Sequence, residues 1–195
     1  KGKRSCVIVV TYVDDLLLMG VNQIPGLMEA LREAIEMEPP HAINKYLGAV
    51  HRMVSEGAVT RIVWDMSNYL TSACRRFEKE TGIKLKPATT PYSPALPKDQ
   101  LDLKLAAPGE LGFCAASMLM GLLYPGRMAF PVVVLAIQRL AKRVTKWCAE
   151  CDRRLTRLFE FVLYASHFVL TGELSHADAA EVELHVYPDG DLCGN

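Results

Sequence analysis

Tyr12-Val13-Asp14-Asp15 lies between two apolar runs, Cys6-Val-Ile-Val-Val-Thr11 and Leu16-Leu-Leu-Met19, the second ending at Gly20. Two short hydrophobic segments joined through a pair of acids read as a β-hairpin with the carboxylates at its tip. Neighbouring side chains of a regular strand point to opposite faces, so adjacent aspartates serve one site only where the backbone turns. Crowded carboxylates repel, and a divalent cation relieves that repulsion. Hard cations such as Mg²⁺ take oxygen ligands, commonly one or two carboxylates plus substrate phosphates. The chemistry suggested is two-metal phosphoryl transfer. The plain alternative is a solvated turn, but such turns carry Gly, Asn or Pro beside their acids, and this one has none.

The 195 residues, half of them hydrophobic, suffice to bury a core in one large or two small domains. No apolar stretch reaches about 18 residues, so no membrane span and no membrane partner are expected. The chain opens on Lys-Gly-Lys-Arg with no secretory apolar segment behind it and is read as an internal piece of a longer polypeptide. Six cysteines in this length do not make a disulfide scaffold, and an intracellular compartment, a cytoplasmic particle or the nucleus, is the expectation.

Strands are expected near 5–12 and 15–20, followed by a helix from about Ile24 to Glu36 that Pro39-Pro40 ends. A second hairpin is expected to pair 45–54 with 58–64 through Ser55-Glu56-Gly57. Asp65 or Ser67 suits the cap of a helix to about Thr81, with Gly82 just past its end. Pro87, Pro91, Pro94, Pro97 and Pro108 mark 83–110 as an extended linker. Helices near 110–123, 131–146 and 150–170 and a strand at 182–188 complete the pattern.

Net charge is zero, but its distribution is uneven. Residues 139–157 carry seven basic residues against Glu150 and Asp152, whereas 173–191 are acidic with no Lys or Arg. Arg139, Arg143, Lys146, Arg153 and Arg157 recur at three- and four-residue steps or their multiples. One helical face would present them together, either to nucleic-acid phosphates or simply to water. Cys148-Ala-Glu-Cys151 supplies two sulfurs where a structural zinc needs four ligands, and a redox role would want a βαβ context. Cys6 and Cys74 are expected to pack as small hydrophobes, and His41 and His51 show no acid or nucleophile partner.

The stretch Val9-Val-Thr-Tyr-Val-Asp-Asp-Leu-Leu-Leu-Met-Gly20 resembles the active-site hairpin of reverse transcriptases, specifically those of copia-type LTR retrotransposon Pol polyproteins. Lys45-Tyr-Leu-Gly-Ala-Val50 resembles the strand that grips the primer. Ile62 to Phe77, with Asn68-Tyr69-Leu70, resembles the following strand and thumb helix, and Ala88-Thr-Thr-Pro91 the Thr-Pro linker. Gly121-Leu-Leu-Tyr124 resembles the helix opening the next section. Val186-Tyr-Pro-Asp-Gly-Asp191 resembles the first strand of ribonuclease H. The shared order of these short motifs makes the match specific.

The resemblance implies an α+β chain of palm-type β-hairpins with helices, then a mainly helical thumb/connection section, with incomplete domains at both ends. Residues 1–64 would be the palm remainder with its primer-grip hairpin, 65–82 the thumb helix and 83–110 the Pro-rich linker. Residues 111–174 would be the helical thumb/connection section, and 182–195 the first strand of a truncated ribonuclease H domain. Asp14 and Asp15 would bind Mg²⁺ (or Mn²⁺), Asp14 the more directly, while the third polymerase carboxylate lies far upstream in the family. Tyr12 and Val13 would floor the primer terminus, and Leu47 and Gly48 would position its backbone. Asp189 would be the first ribonuclease H carboxylate, assisted by Asp191. Partners would be an RNA/DNA template–primer, deoxynucleoside triphosphates and the rest of the Pol polyprotein. The activity implied is RNA-directed DNA polymerisation, absent from the isolated chain.

The chain also departs from the family. Gly126-Arg-Met-Ala-Phe130 stands where the family runs Arg-Pro-Asp-Ile, and Asp191-Leu-Cys-Gly194 where it runs Asp-Trp-Ala-Gly. A decayed element that keeps the fold and nucleic-acid binding without catalysis therefore stays open at this point. So does an unrelated α/β protein with a zinc-binding Cys pair.

Overall fold

In the computed structural model, which describes residues 7–20 and 23–182, β-branched Val7, Ile8, Val9, Val10 and Thr11 build the first strand. This strand, β1 (Val7–Tyr12), pairs antiparallel with β2 (Asp15–Gly20) from Val7↔Gly20 to Tyr12↔Asp15. The expected hairpin is therefore present, with Val13 and Asp14 as its two-residue loop and Asp15 opening β2. Helix α1 (Ile24–Ala34) follows, with Pro25 in its first turn, where a missing N–H costs nothing.

The second hairpin differs from the expectation. A single strand over 45–54 is interrupted: β3 (Lys45–Tyr46) folds back on β4 (Ala49–Glu56) through Leu47-Gly48. Both loop residues have positive φ, 48° and 75°, the backbone signs of a type I′ turn. Ser55 and Glu56 belong to β4, and the next turn falls at Gly57-Ala58 before β5 (Val59–Asp65). A fourth strand, β6 (Leu170–Ser175), lies antiparallel to β5 and gives the sheet order β3-β4-β5-β6. The expectation of helix through 170 is corrected here. Arg61 on β5 faces Glu173 on β6 at 2.7 Å, an exposed pair worth little on its own.

Asp65 ends β5 and starts α2 (Ser67–Thr81). Its Oδ1 accepts the Ser67 N–H at 2.9 Å and the Ser67 hydroxyl at 2.6 Å, and Oδ2 accepts from Arg52 at 3.0 Å. The Ser67 side-chain and backbone donors, then Arg52, hold this carboxyl below its ordinary value. A depressed folded-state value means stability present above the unfolded value and lost as pH falls through the folded one. Asp65→Ala is therefore expected to lower stability by about 1 kcal/mol at neutral pH. The gap from wild type should narrow as pH falls through and below the ordinary aspartate range and the carboxyl protonates; a gap independent of pH would contradict this role of the carboxylate.

Gly82 closes α2 with φ 71°, the left-handed residue the sequence placed there. The 83–110 segment is extended only in part. Helix α3 (Lys98–Ala106) occupies its second half, and the first half is strapped onto the helical body. The Ala88 N–H reaches the Glu160 carbonyl, while Arg157 and Arg153 donate to the Thr90 and Pro94 carbonyls. Leu85 and Ala88 are buried. A linker so pinned is part of the body.

That body consists of α2, α4 (Gly112–Met128), α5 (Val134–Ala141) and α6 (Ala149–Ala165). On α6, Leu155, Leu158, Phe159, Val162 and Ala165 recur at helical spacing and are buried. Phe159 stacks on Phe77 of α2 with ring centroids 4.3 Å apart at the centre of the cluster. Pro125 sits inside α4, where proline deprives the Gly121 carbonyl of its helical donor. The Tyr69 hydroxyl supplies a replacement at 3.1 Å. Asp152 on α6 anchors the start of α4 by accepting the Glu110 and Leu111 N–H groups, and it also accepts from Trp147 Nε1. Among the described residues no helix is long and apolar enough to cross a membrane.

Candidate metal and primer site at the hairpin tip

The β1–β2 tip is strained in a specific way. Val13 has φ 55°, positive at the first position of a two-residue loop, where glycine is normally required. For a β-branched side chain this is a conformational outlier, and such residues cost about 1–3 kcal/mol unless the surroundings impose them. Val13 is also 93% exposed, so packing within the described residues does not compensate. The hairpin tip thus holds an exposed apolar side chain beside two exposed acids.

Asp14 and Asp15 are both exposed, and neither has a hydrogen-bond or ion-pair partner among the described residues. The donor set is all oxygen, with no nitrogen or sulfur ligand beside it, and so fits a hard cation of the Mg²⁺ or Mn²⁺ type. Two carboxylates alone leave several coordination positions for water and phosphate oxygens, the usual pattern for magnesium. Among the described residues no group of three or more His, Cys, Asp or Glu converges on a ligating position.

The second hairpin turn belongs to the same region. Tyr124, on α4, donates its hydroxyl to the Leu47 carbonyl, and its ring lies 5.7 Å from that of Tyr69. Burial raises the Tyr124 phenol above its ordinary value, and the nearby Tyr12 and Tyr69 phenols raise it further. Leu47 at the I′ turn is thus hydrogen-bonded to a side chain whose phenol also feels the charge of Tyr12. A Cβ added to Gly48 would meet Met66 and Tyr124 only at ordinary contact, so what demands glycine there is its φ of 75°. Beside this turn the Tyr46 hydroxyl is buried without a partner among the described residues.

Leu47 and Gly48 are thus anchored at one turn by Tyr124, whose functional value the sequence did not signal. Tyr124 had only marked the opening of a helix. The clue available was its place one residue before a helical proline, which disturbs local helix bonding and rewards a side chain anchored elsewhere.

The arginine face is not assembled as expected. Arg139, Arg143, Lys146, Arg153 and Arg157 do not lie along one helix, because the chain bends between α5 and α6. Trp147 and Cys148 are extended there, with ψ 135° and 168°, and Asp152 captures the Trp147 indole N–H. Four of the cations are also engaged inside the fold. Arg139 lies 5.4 Å over the Tyr92 ring, and Arg143 points at Cys148 Sγ at 4.0 Å. Arg153 bonds Glu150 and the Pro94 carbonyl, and Arg157 bonds the Thr90 carbonyl. Glu150, 1% exposed, is held below its ordinary value by Arg153 and then Arg154, against burial. Lys146 alone of the five has no side-chain partner among the described residues.

Asp189 and Asp191 lie outside the described residues, as do Cys6 and, but for Val182, the strand expected at 182–188. No family model, curated protein or solved structure matches this chain.

Proposed function

We propose that this chain is the palm remainder, thumb and connection of a copia-type RNA-directed DNA polymerase, whose catalytic acids are Asp14 and Asp15. One observation carries the reading: Asp14 in the two-residue loop of an antiparallel ribbon and Asp15 at the start of its second strand stand side by side without partners among the described residues, next to a strained and exposed Val13. Strain of this kind is retained where a site requires it. In the intact enzyme Asp14 and Asp15 hold the cation, Asp14 the more directly, together with an acid from upstream. When bound, Mg²⁺ or Mn²⁺ would supply positive charge to the attacking primer oxygen and the departing pyrophosphate.

The protein groups have separable tasks. Tyr12 and Val13 floor the primer terminus, and the Leu47–Gly48 turn approaches its backbone, where the absence of a side chain lets another chain come close. Tyr124 fixes that turn by holding the Leu47 carbonyl. Template sequence is copied by base pairing, and the protein holds backbone and shape. The arginines act mainly as internal straps, so phosphate contact falls to Lys146 and to the solvent-facing parts of Arg139 and Arg143. The ribonuclease H role of Asp189 completes the proposal.

The test is extension of a recessed primer. The 195-residue chain by itself is expected to give no product with Mg²⁺ or Mn²⁺. Completed with an upstream segment bearing a strand-borne aspartate, it is expected to extend the primer. A completed protein that binds the duplex and never extends it would leave only a decayed, nucleic-acid-binding remnant.

A further inference from the structure

Cys148 and Cys151 take no part in the proposed polymerase chemistry, yet they are placed with care. Cys148 is the N-cap of α6, with extended backbone (φ −137°, ψ 168°), and Cys151 follows one helical turn later. Their sulfurs meet at 3.4 Å in a hydrogen bond, at the positive end of the helix dipole. The Arg143 guanidinium approaches Cys148 Sγ at 4.0 Å from the preceding segment. Both cysteines are nearly covered, at 4% and 3% exposure. Cys151 nevertheless lines a cavity of about 580 Å³ together with Arg139, Arg143 and Ser93. Ser93 keeps its hydroxyl buried there without a partner among the described residues. A polar occupant would satisfy it.

We propose that Cys148 and Cys151 form a redox-active dithiol, oxidised to an intramolecular disulfide by a small hydroperoxide that reaches the touching sulfurs from the Cys151 side, where the cavity ends. The Cys148 thiolate attacks the terminal peroxide oxygen. An S–O bond forms, the O–O bond breaks, and the departing alkoxide or hydroxide takes a proton from solvent. The Cys151 sulfur, its proton passing to the sulfenic oxygen, then attacks Cys148 Sγ. The S–S bond forms, S–O breaks and water leaves. Two thiols lose two electrons in total, and the hydroperoxide becomes an alcohol (or water) plus water. The sulfurs need to close only from 3.4 Å to about 2.04 Å.

The surroundings fit the division of labour. Burial pushes the Cys148 thiol up, but hydrogen bonds from the Cys151 backbone and thiol and from Arg143 outweigh it and hold the thiol below its ordinary value. Burial pushes Cys151 up, as a resolving thiol requires. Cys74, buried with no sulfur beside it, is pushed up to about 12 and stays inert. A zinc role has less support, since among the described residues no third ligand joins the pair.

The reduced 195-residue chain, treated with hydrogen peroxide, quenched with an alkylating agent and mapped by mass spectrometry, tests this directly. The expected product is a Cys148–Cys151 disulfide formed while Cys74 and Cys114 remain alkylatable after denaturation. Arg143→Gln should slow its formation several-fold, because the guanidinium donor that favours the Cys148 thiolate is lost. In Cys151→Ser, Cys148 should accumulate as sulfenic acid, trapped by a dimedone-type reagent. Should the Ser variant not fold, the wild-type map decides alone. Oxidation spread evenly over the cysteines, or the same selectivity in denaturant, overturns the proposal.

Discussion

Asp14→Asn, placed in a polymerase carrying this hairpin, is expected to reduce primer extension by about a thousandfold while duplex affinity changes little. Asparagine keeps the size and the turn propensity of aspartate but removes one charge and one strong oxygen ligand. A metal-mediated charge effect at the reacting oxygens is worth several kcal/mol, and each 1.36 kcal/mol is a factor of ten in rate. Duplex affinity rests chiefly on phosphate contacts elsewhere, so it survives. Asp15→Asn should do less, because Asp15 opens β2 while Asp14 lies in the loop itself. Single-turnover rates and a salt-matched binding curve separate the two effects. Wild-type rates in Asp14→Asn would end the catalytic assignment, and a parallel loss of binding would point to a structural role for the loop.

Phe77→Ala is expected to cost about 3–5 kcal/mol of stability. Phe77 is 0% exposed and stacks on Phe159, so truncation opens a void among α2, α4 and α6 that backbone relaxation cannot fill. That loss is a large share of the roughly 5–15 kcal/mol that holds a domain together. Phe77→Leu keeps most of the volume and should cost less than about half as much. Denaturant midpoints at unchanged slope measure both. An alanine variant within about 0.5 kcal/mol of wild type would show that the aromatic stack is peripheral to the cooperative core.

Local chemistry explains what the sequence made legible. The apolar–acid–apolar pattern located the tip to the residue because alternation and turn position are nearest-neighbour properties. Gly82 ended α2 as expected because a left-handed cap selects glycine by sterics alone. What escaped was decided at a distance. The partner of β6 is β5, more than a hundred residues earlier, and Phe168-Val169 run on from the apolar face of α6, so the strand start had no local mark. The arginine spacing carried helical periodicity straight across the bend at Trp147–Cys148, which Asp152 fixes through space. The Leu47-Gly48 turn was hidden because leucine at positive φ is a choice no propensity favours. At the site, the acids were legible and the Tyr124 anchor of the Leu47 turn was not, since that contact joins residues 77 apart in the chain.

Metal occupancy of the tip is best measured by paramagnetic broadening. Mn²⁺ is titrated into the ¹⁵N-labelled chain and into its Asp14→Asn/Asp15→Asn variant, with excess Mg²⁺ as competitor. Broadening centred on the amides of Val13, Asp14 and Asp15, reversed by Mg²⁺ and lost in the variant, is the expected result. Tip signals that stay sharp while other acidic segments broaden, or a variant that broadens as the wild type does, would contradict it.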